Sequence, residues 1–327
     1  MVFETPKCRQ ISPLARDAPQ PPLVAVAGPT GSGKSALALE IADTFGGEVV
    51  NCDSLQVYRH FDIGTAKLPP AERRGIPHHL LDIIDPDEVF TAGEYARLAR
   101  LAIADISARG RLPVVAGGTG FYLRALLDGL FEGPSRDQGL RDRLAAREAR
   151  RSGSLHRLLR RFDREAAAKI HRNDVPKVTR ALEVCLVTRR PVSQLFREGR
   201  EALQGYRTLK IGLSPDRDEL YKSLDARCAA MFESGLLDEV KSIVALGYAP
   251  TCKPFESHGY KQALQLLQGE LTPKEAVFYA QRNTRNYAKR QMTWFRREQD
   301  MVWFKGFAPT VIDAALARTA ALVSPAA

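Results

Sequence analysis

Apolar residues along this chain fall into two patterns. Short runs at LVAVA (Leu23 to Ala27), GEVVNCDS (Gly47 to Ser54), RLPVVAGGTG (Arg111 to Gly120) and TLKIGLSPD (Thr208 to Asp216) read as buried strands of a parallel sheet. Between them, apolar residues recur every three or four positions and predict helices. The helix after the first strand carries Leu37, Ile41 and Phe45 on one stripe. A capping box at Thr91-Ala-Gly-Glu94 opens another, with Leu98, Leu101, Ala102 and Ile106 as its apolar face and a stop at Gly110. Later helices run over Asp218 to Phe232 and Leu236 to Leu246, each closed by a glycine. A second box, Thr272-Pro-Lys-Glu275, opens a long helix through NYAKRQMTWFRR. The proline-rich stretch from Phe61 to Tyr95 predicts loop with short pieces of structure around the mouth of a site, with His78 and His79 structural rather than metal ligands.

The order strand, helix, strand places the chain in the α/β class, a P-loop NTPase-like parallel sheet flanked by helices. Its chemistry begins at Gly28-Pro29-Thr30-Gly31-Ser32-Gly33-Lys34-Ser35, which has the G-x-x-x-x-G-K-[ST] spacing between a strand and a helix. Glycines there turn backbone N–H groups towards an anion, the helix adds its dipole, Lys34 adds a charge and Ser35 can ligate Mg²⁺. The loop predicts a diphosphate or triphosphate ligand. Asp53 falls at the carboxyl end of the second strand, where open α/β sheets place their ligands. The third strand ends in Gly117, Gly118 and Thr119, without the acid that holds Mg²⁺ in nucleotide-hydrolysing relatives of this fold.

Charge changes the picture. The 327 residues carry a formal net charge of +10, and Arg136 to Arg200 hold eighteen Lys and Arg against eight Asp and Glu, an excess equal to that of the whole chain. The segment reads as helical, with Leu155, Leu158, Leu159 and Phe162 inward and Arg157, Arg160, Arg161 and Arg164 outward. A following helix buries Val178, Ala181, Leu182 and Cys185 and exposes Lys177 and Arg180. This is an inserted basic all-helical domain with the footprint of a nucleic-acid backbone ligand. On the long C-terminal helix, Arg282, Arg285, Lys289 and Arg296 share a stripe flanked by Tyr287, Trp294 and Phe295.

Five cysteines without a C-x-x-C pair indicate neither a disulfide framework nor a zinc site and fit a reducing cytoplasm. No segment approaches transmembrane length, so no membrane partner is expected. The organisation expected is a disordered lead-in over 1–22, a core in two parts at 23–135 and 201–310, the insertion at 136–200, and a tail at 311–327.

The pieces GPTGSGKS, DSLQVY, DIGTAK, PHHLLDI, GGTGFYLRALLDGL, IHRNDVPKVTRALEV, Gly259-Tyr260 and TRNYAKRQMTWFR occur in order along nearly the whole chain. In these the sequence resembles the tRNA dimethylallyltransferases, also called isopentenyl-diphosphate:tRNA transferases. The resemblance implies that N6 of the adenosine 3′ to the anticodon attacks the allylic carbon of dimethylallyl diphosphate and that diphosphate leaves. It implies Asp53 as general base, with Thr30 and Arg285 stabilising charge on the diphosphate. It further implies tRNA contacts at Asp53, Ser54, Leu55, Gln56, Thr119 and Arg141, and at Pro176, Lys177, Val178, Thr179 and Arg180. The base would leave its stack to enter a channel through the core. A monomer is expected, and the absence of a C-terminal zinc finger points to the bacterial type.

Two departures stand out: Glu256-Ser-His before Gly259-Tyr260, where the family commonly has a basic or small apolar residue, and Leu55 as a variant within DSLQ. An adenylate isopentenyltransferase or a small-molecule kinase would account for the loop and Asp53, but neither needs the basic insertion. A non-enzymatic RNA-binding protein would need no phosphate loop.

Overall fold

The computed structural model describes residues 20–131 and 133–324, so most of the expected lead-in lies outside the described residues. Pro22, placed in that lead-in from sequence, begins β1 (Pro22–Ala27), which runs through the glycine loop into α1 (Lys34–Thr44). β2 (Glu48–Asn51), β3 (His78–His79), α2 (Ala92–Ala108), β4 (Pro113–Gly117) and α3 (Gly120–Leu127) follow. Next come α4 (Gln138–Arg150), α5 (Ser154–Phe162), α6 (Arg164–Lys169), α7 (Val175–Thr188) and α8 (Val192–Glu198). The chain returns through β5 (Arg207–Ser214), α9 (Arg217–Glu233), α10 (Leu236–Ala245), α11 (Tyr260–Leu267), α12 (Pro273–Phe295), β6 (Met301–Lys305) and α13 (Ala308–Val323). It divides into two compact units, one of Met1–Leu126 with Gln204–Ala327, the other Leu127–Leu203.

The larger unit is one parallel sheet in the order β3-β2-β4-β1-β5-β6. β1 lies between β4 and β5, with Val24 opposite Val114 and Leu209, so both of its edges are paired and the phosphate loop leaves from the interior of the sheet. Its core joins Val24, Val26, Leu37, Ile41, Val114 and Ile211 to Val311 and Ala315 of α13.

That last contact corrects the expected tail. α13 completes the core beside α1: Ala308 N–H donates to Ser32 O at 3.1 Å, and a Cβ on Gly33 would lie 2.7 Å from Ala308 Cβ. The two histidines are one of the short pieces of structure expected in that segment, a two-residue strand. His78 and His79 pair with Val49 and Val50, and His79 Nε2 lies 2.7 Å from the buried Glu48 carboxylate. On α2, Thr91 accepts from Glu94 N–H at 3.1 Å, but the Glu94 carboxylate turns to Arg97, so the box is half formed. The buried stripe is Tyr95, Ala99, Ile103 and Ile106, while Leu101 is 53% exposed. Tyr95 turns the helix this way because its ring stacks on Tyr122 at 4.3 Å. On α12 the box closes in both directions.

The smaller unit has its own core of Leu144, Leu155, Leu159, Val178, Leu182 and Cys185. Phe162, expected inside, is 44% exposed. At its centre Glu183 is fully buried and accepts Arg141 through Nε and an NH2 nitrogen, both at 2.8 Å, Arg180 at 2.6 Å and the Asp137 N–H at 2.8 Å. Burial pushes the Glu183 carboxyl up, but these donors outweigh it and hold the pKa down at about 2. A depressed carboxylate stabilises the fold fully above its ordinary value near 4.5 and loses that contribution as pH falls through about 2.

Removing both guanidiniums, Arg141→Ala with Arg180→Ala, leaves this charge buried without them and is expected to cost about 3–5 kcal/mol in urea unfolding of the full chain. Adding Glu183→Leu should restore most of the loss. A cost under about 1 kcal/mol, the worth of a surface pair, would rule out this role.

Candidate active site

The phosphate loop is built where β1 stops. Gly28 has φ +149°, and a Cβ there would meet Leu213 O at 2.9 Å, so the turn needs a residue without a side chain. Ser32 Oγ donates to Pro29 O at 2.9 Å and Lys34 Nζ donates to the same carbonyl at 2.7 Å. Burial brings Lys34 down to about 8; the Asp53 carboxylate partly opposes this and the Arg227 guanidinium reinforces it. Ser35 is exposed at the first turn of α1 and has no hydrogen-bond partner among the described residues.

Asp53 lies two residues past β2. Its N–H donates to Asn51 Oδ1 at 3.1 Å, and its own Oδ1 accepts Leu55 N–H at 2.9 Å, an Asx turn that fixes the carboxylate. Ser54 N–H donates to Thr119 Oγ1 at 3.0 Å, tying this turn to the end of β4. Gln56 donates to Thr65 O at 3.1 Å and so braces the DIGTAK loop.

Thr30, Asp53 and Leu55 line one cavity of about 70 Å³. Arg285 does not line it. Its guanidinium pairs with Asp225 and ties α12 to α9. The cation that reaches the cavity is Arg227, absent from the sequence-based set: it donates to Thr30 Oγ1 at 2.8 Å, and its buried Nε has no partner among the described residues. One signal was available, since Arg227 adjoins Cys228 on the helix face that buries Leu220 and Leu224, an unusual place for a cation. Gln291 was also missed. It is buried on α12, accepts Thr30 N–H at 2.8 Å and donates to Gly118 O at 2.8 Å, holding the phosphate loop against the end of β4.

In the helical unit the expected contact set separates. Arg141 and Arg180 are engaged by Glu183, and Val178 is a core side chain. Pro176 and Lys177 are exposed and Thr179 is half-buried, with Lys177 paired to Asp174. Arg157, Arg160, Arg161 and Arg164 are exposed and enter no ion pair among the described residues. On α12, Arg282 and Lys289 are exposed, as is Arg296 just past its end; Phe295 is core, and Trp294 is half-buried under Arg124, whose guanidinium lies 4.5 Å from the ring.

A parallel sheet whose central strand ends in a phosphate loop, facing a fixed carboxylate and a half-buried arginine, defines a P-loop-like α/β enzyme. The family model for IPP transferase matches residues 56–298, and the chain belongs to that family. It is 76% identical over 301 residues to a tRNA dimethylallyltransferase of Solibacter usitatus, covering 91% of this chain and 98% of that one. It is 55% identical over 288 residues to one of Koribacter versatilis, covering 88% and 94%. Among solved structures it resembles the full-length tRNA isopentenylpyrophosphate transferase of Bacillus halodurans, with a TM-score of 0.68, 38% identity, and coverage of 92% and 96%. A eukaryotic dimethylallyltransferase acting on tRNA gives a TM-score of 0.79 at 30% identity, covering 92% of this chain and 77% of that one.

Proposed function

We propose that this enzyme transfers the dimethylallyl group of dimethylallyl diphosphate to N6 of the adenosine 3′ to the anticodon of tRNA. The observation that carries the reading is the convergence of Thr30, Arg227 and Asp53 on one cavity at the phosphate loop. A C–N bond forms as the allylic C–O bond breaks, and its electron pair leaves with the diphosphate. Asp53 takes the N6 proton; Thr30 Oγ1, Arg227, Lys34 and the backbone N–H groups of Gly31, Gly33, Lys34 and Ser35 meet the growing negative charge. The exposed hydroxyl of Ser35 suits a hard cation, and with diphosphate oxygens it would hold Mg²⁺, which neutralises charge on the leaving group. The protein acts as a monomer in the cytoplasm; no helix among the described residues is long and apolar enough to cross a membrane.

Labelled dimethylallyl diphosphate, offered without ATP to tRNA or to AMP, tests the reading. Label on tRNA is the expected result; label on AMP alone, or a requirement for ATP, would overturn it.

Lys34 makes diphosphate binding pH-dependent. Its pKa of about 8 leaves the ammonium present below that pH, and a bound anion favours the charged form. Binding therefore takes up a proton above pH 8, and affinity for inorganic diphosphate is expected to weaken by up to about tenfold per pH unit. Titration calorimetry from pH 7 to 10 should show this in the wild type and not in Lys34→Arg, which keeps its charge. A flat wild-type profile would exclude Lys34 from diphosphate binding.

The exposed arginines of α5 supply the grip on RNA phosphates. Because Arg180 is engaged by Glu183, the clean test is Arg157→Gln, Arg160→Gln and Arg161→Gln together. Each lost phosphate contact flattens the slope of log affinity against log salt by about 0.7–0.9, so a fall of roughly two units is expected. An unchanged slope would mean that the patch is only solvated surface.

A further inference from the structure

The cavity that contains Thr30, Asp53 and Arg227 continues along α9 to an apolar end formed by Met231, Phe232 and Leu236. At a rise of 1.5 Å per residue, Met231 and Phe232 stand roughly 6–7.5 Å beyond Arg227 along the helix, about the reach of a five-carbon chain held at the diphosphate. The cavity as a whole is about 70 Å³.

Its two sides differ in what they can yield. Part of the lining is Gly64, Thr65 and Ala66. Gly64 N–H donates to the Tyr260 hydroxyl at 3.0 Å, Ile63 N–H donates to Glu239 at 2.8 Å, and the Tyr260 hydroxyl donates to the same Glu239 carboxylate. A Cβ on Gly64 would lie 2.3 Å from the Tyr260 ring, so this wall has no room to retreat. The other side is made of side chains, and those of Met231 and Phe232 are half-buried rather than locked in the core. Leu236 at the far end is fully buried at the start of α10.

We infer that Met231 and Phe232 set the donor's length, admitting a five-carbon prenyl diphosphate and excluding a ten-carbon one. The inference rests on the prenyl-transfer reading and adds which side chains make the donor short. The test compares dimethylallyl diphosphate with geranyl diphosphate as donors to tRNA, reading the ratio of their kcat/KM values. The wild type is expected to favour the shorter donor by at least about 100-fold. Phe232→Ala and Met231→Ala should each shift the ratio towards geranyl diphosphate, the better one by at least tenfold. Measuring both keeps a folding defect in either from deciding the result.

A wild type that uses geranyl diphosphate as well as dimethylallyl diphosphate would overturn the length limit and leave the reaction standing. A ratio unmoved in both variants would overturn the assignment of these two side chains. A wild type that transfers neither group would overturn the prenyl-transfer reading itself, and the inference with it.

Discussion

Asp53→Asn is expected to lower turnover by roughly 10²–10⁴-fold, the range for losing a general base. Asparagine is the sharper substitution because its side-chain oxygen can still accept Leu55 N–H, as Asp53 Oδ1 does at 2.9 Å. The Asx turn then survives, while the group can no longer accept the N6 proton. Asp53→Ala should lose as much turnover and also loosen the turn that Ser54 anchors to Thr119. Affinity for tRNA should stay within a few-fold in Asp53→Asn, so the defect appears in kcat rather than KM. Single-turnover transfer at saturating tRNA is the measurement, and near-wild-type rates in Asp53→Asn would remove Asp53 from the proton transfer.

Much of this architecture was legible because its signals are local. The phosphate loop has a fixed spacing set between a strand and a helix, and the box at Thr272 is complete within four residues. Legibility failed where partners are distant in sequence. The pairing of Arg141 and Arg180 with Glu183 spans up to 42 residues, so two arginines that look solvated are anchors of a buried carboxylate. β3 is two residues long and exists because β2 offers it an edge, so no periodicity could announce it. α13 has the apolar spacing of a helix, but its place against α1 depends on the close approach of Ala308 to Gly33.

At the site, too, the partners that distinguish Arg227 from the expected Arg285 are distant in sequence. Arg285 stands among basic neighbours and Arg227 on an apolar face, and the fold gives Arg285 to Asp225 and Arg227 to Thr30. The two therefore predict different phenotypes. Arg227 is partly desolvated, with its Nε unpartnered among the described residues, so its interaction with an anion in the cavity is little weakened by water. Arg227→Ala is expected to cut kcat by roughly 10²–10³-fold, the cost of removing one donor to developing negative charge. Arg227→Lys should recover only part of this, because an ammonium cannot reproduce the guanidinium's fork between Thr30 and the diphosphate. Arg285→Ala breaks the tie between α12 and α9, so it should lower the unfolding midpoint and reduce kcat less than Arg227→Ala does. Steady-state kinetics and urea unfolding on the three variants decide it: if Arg285→Ala loses turnover as severely as Arg227→Ala while its stability holds, the cation that meets the diphosphate is Arg285.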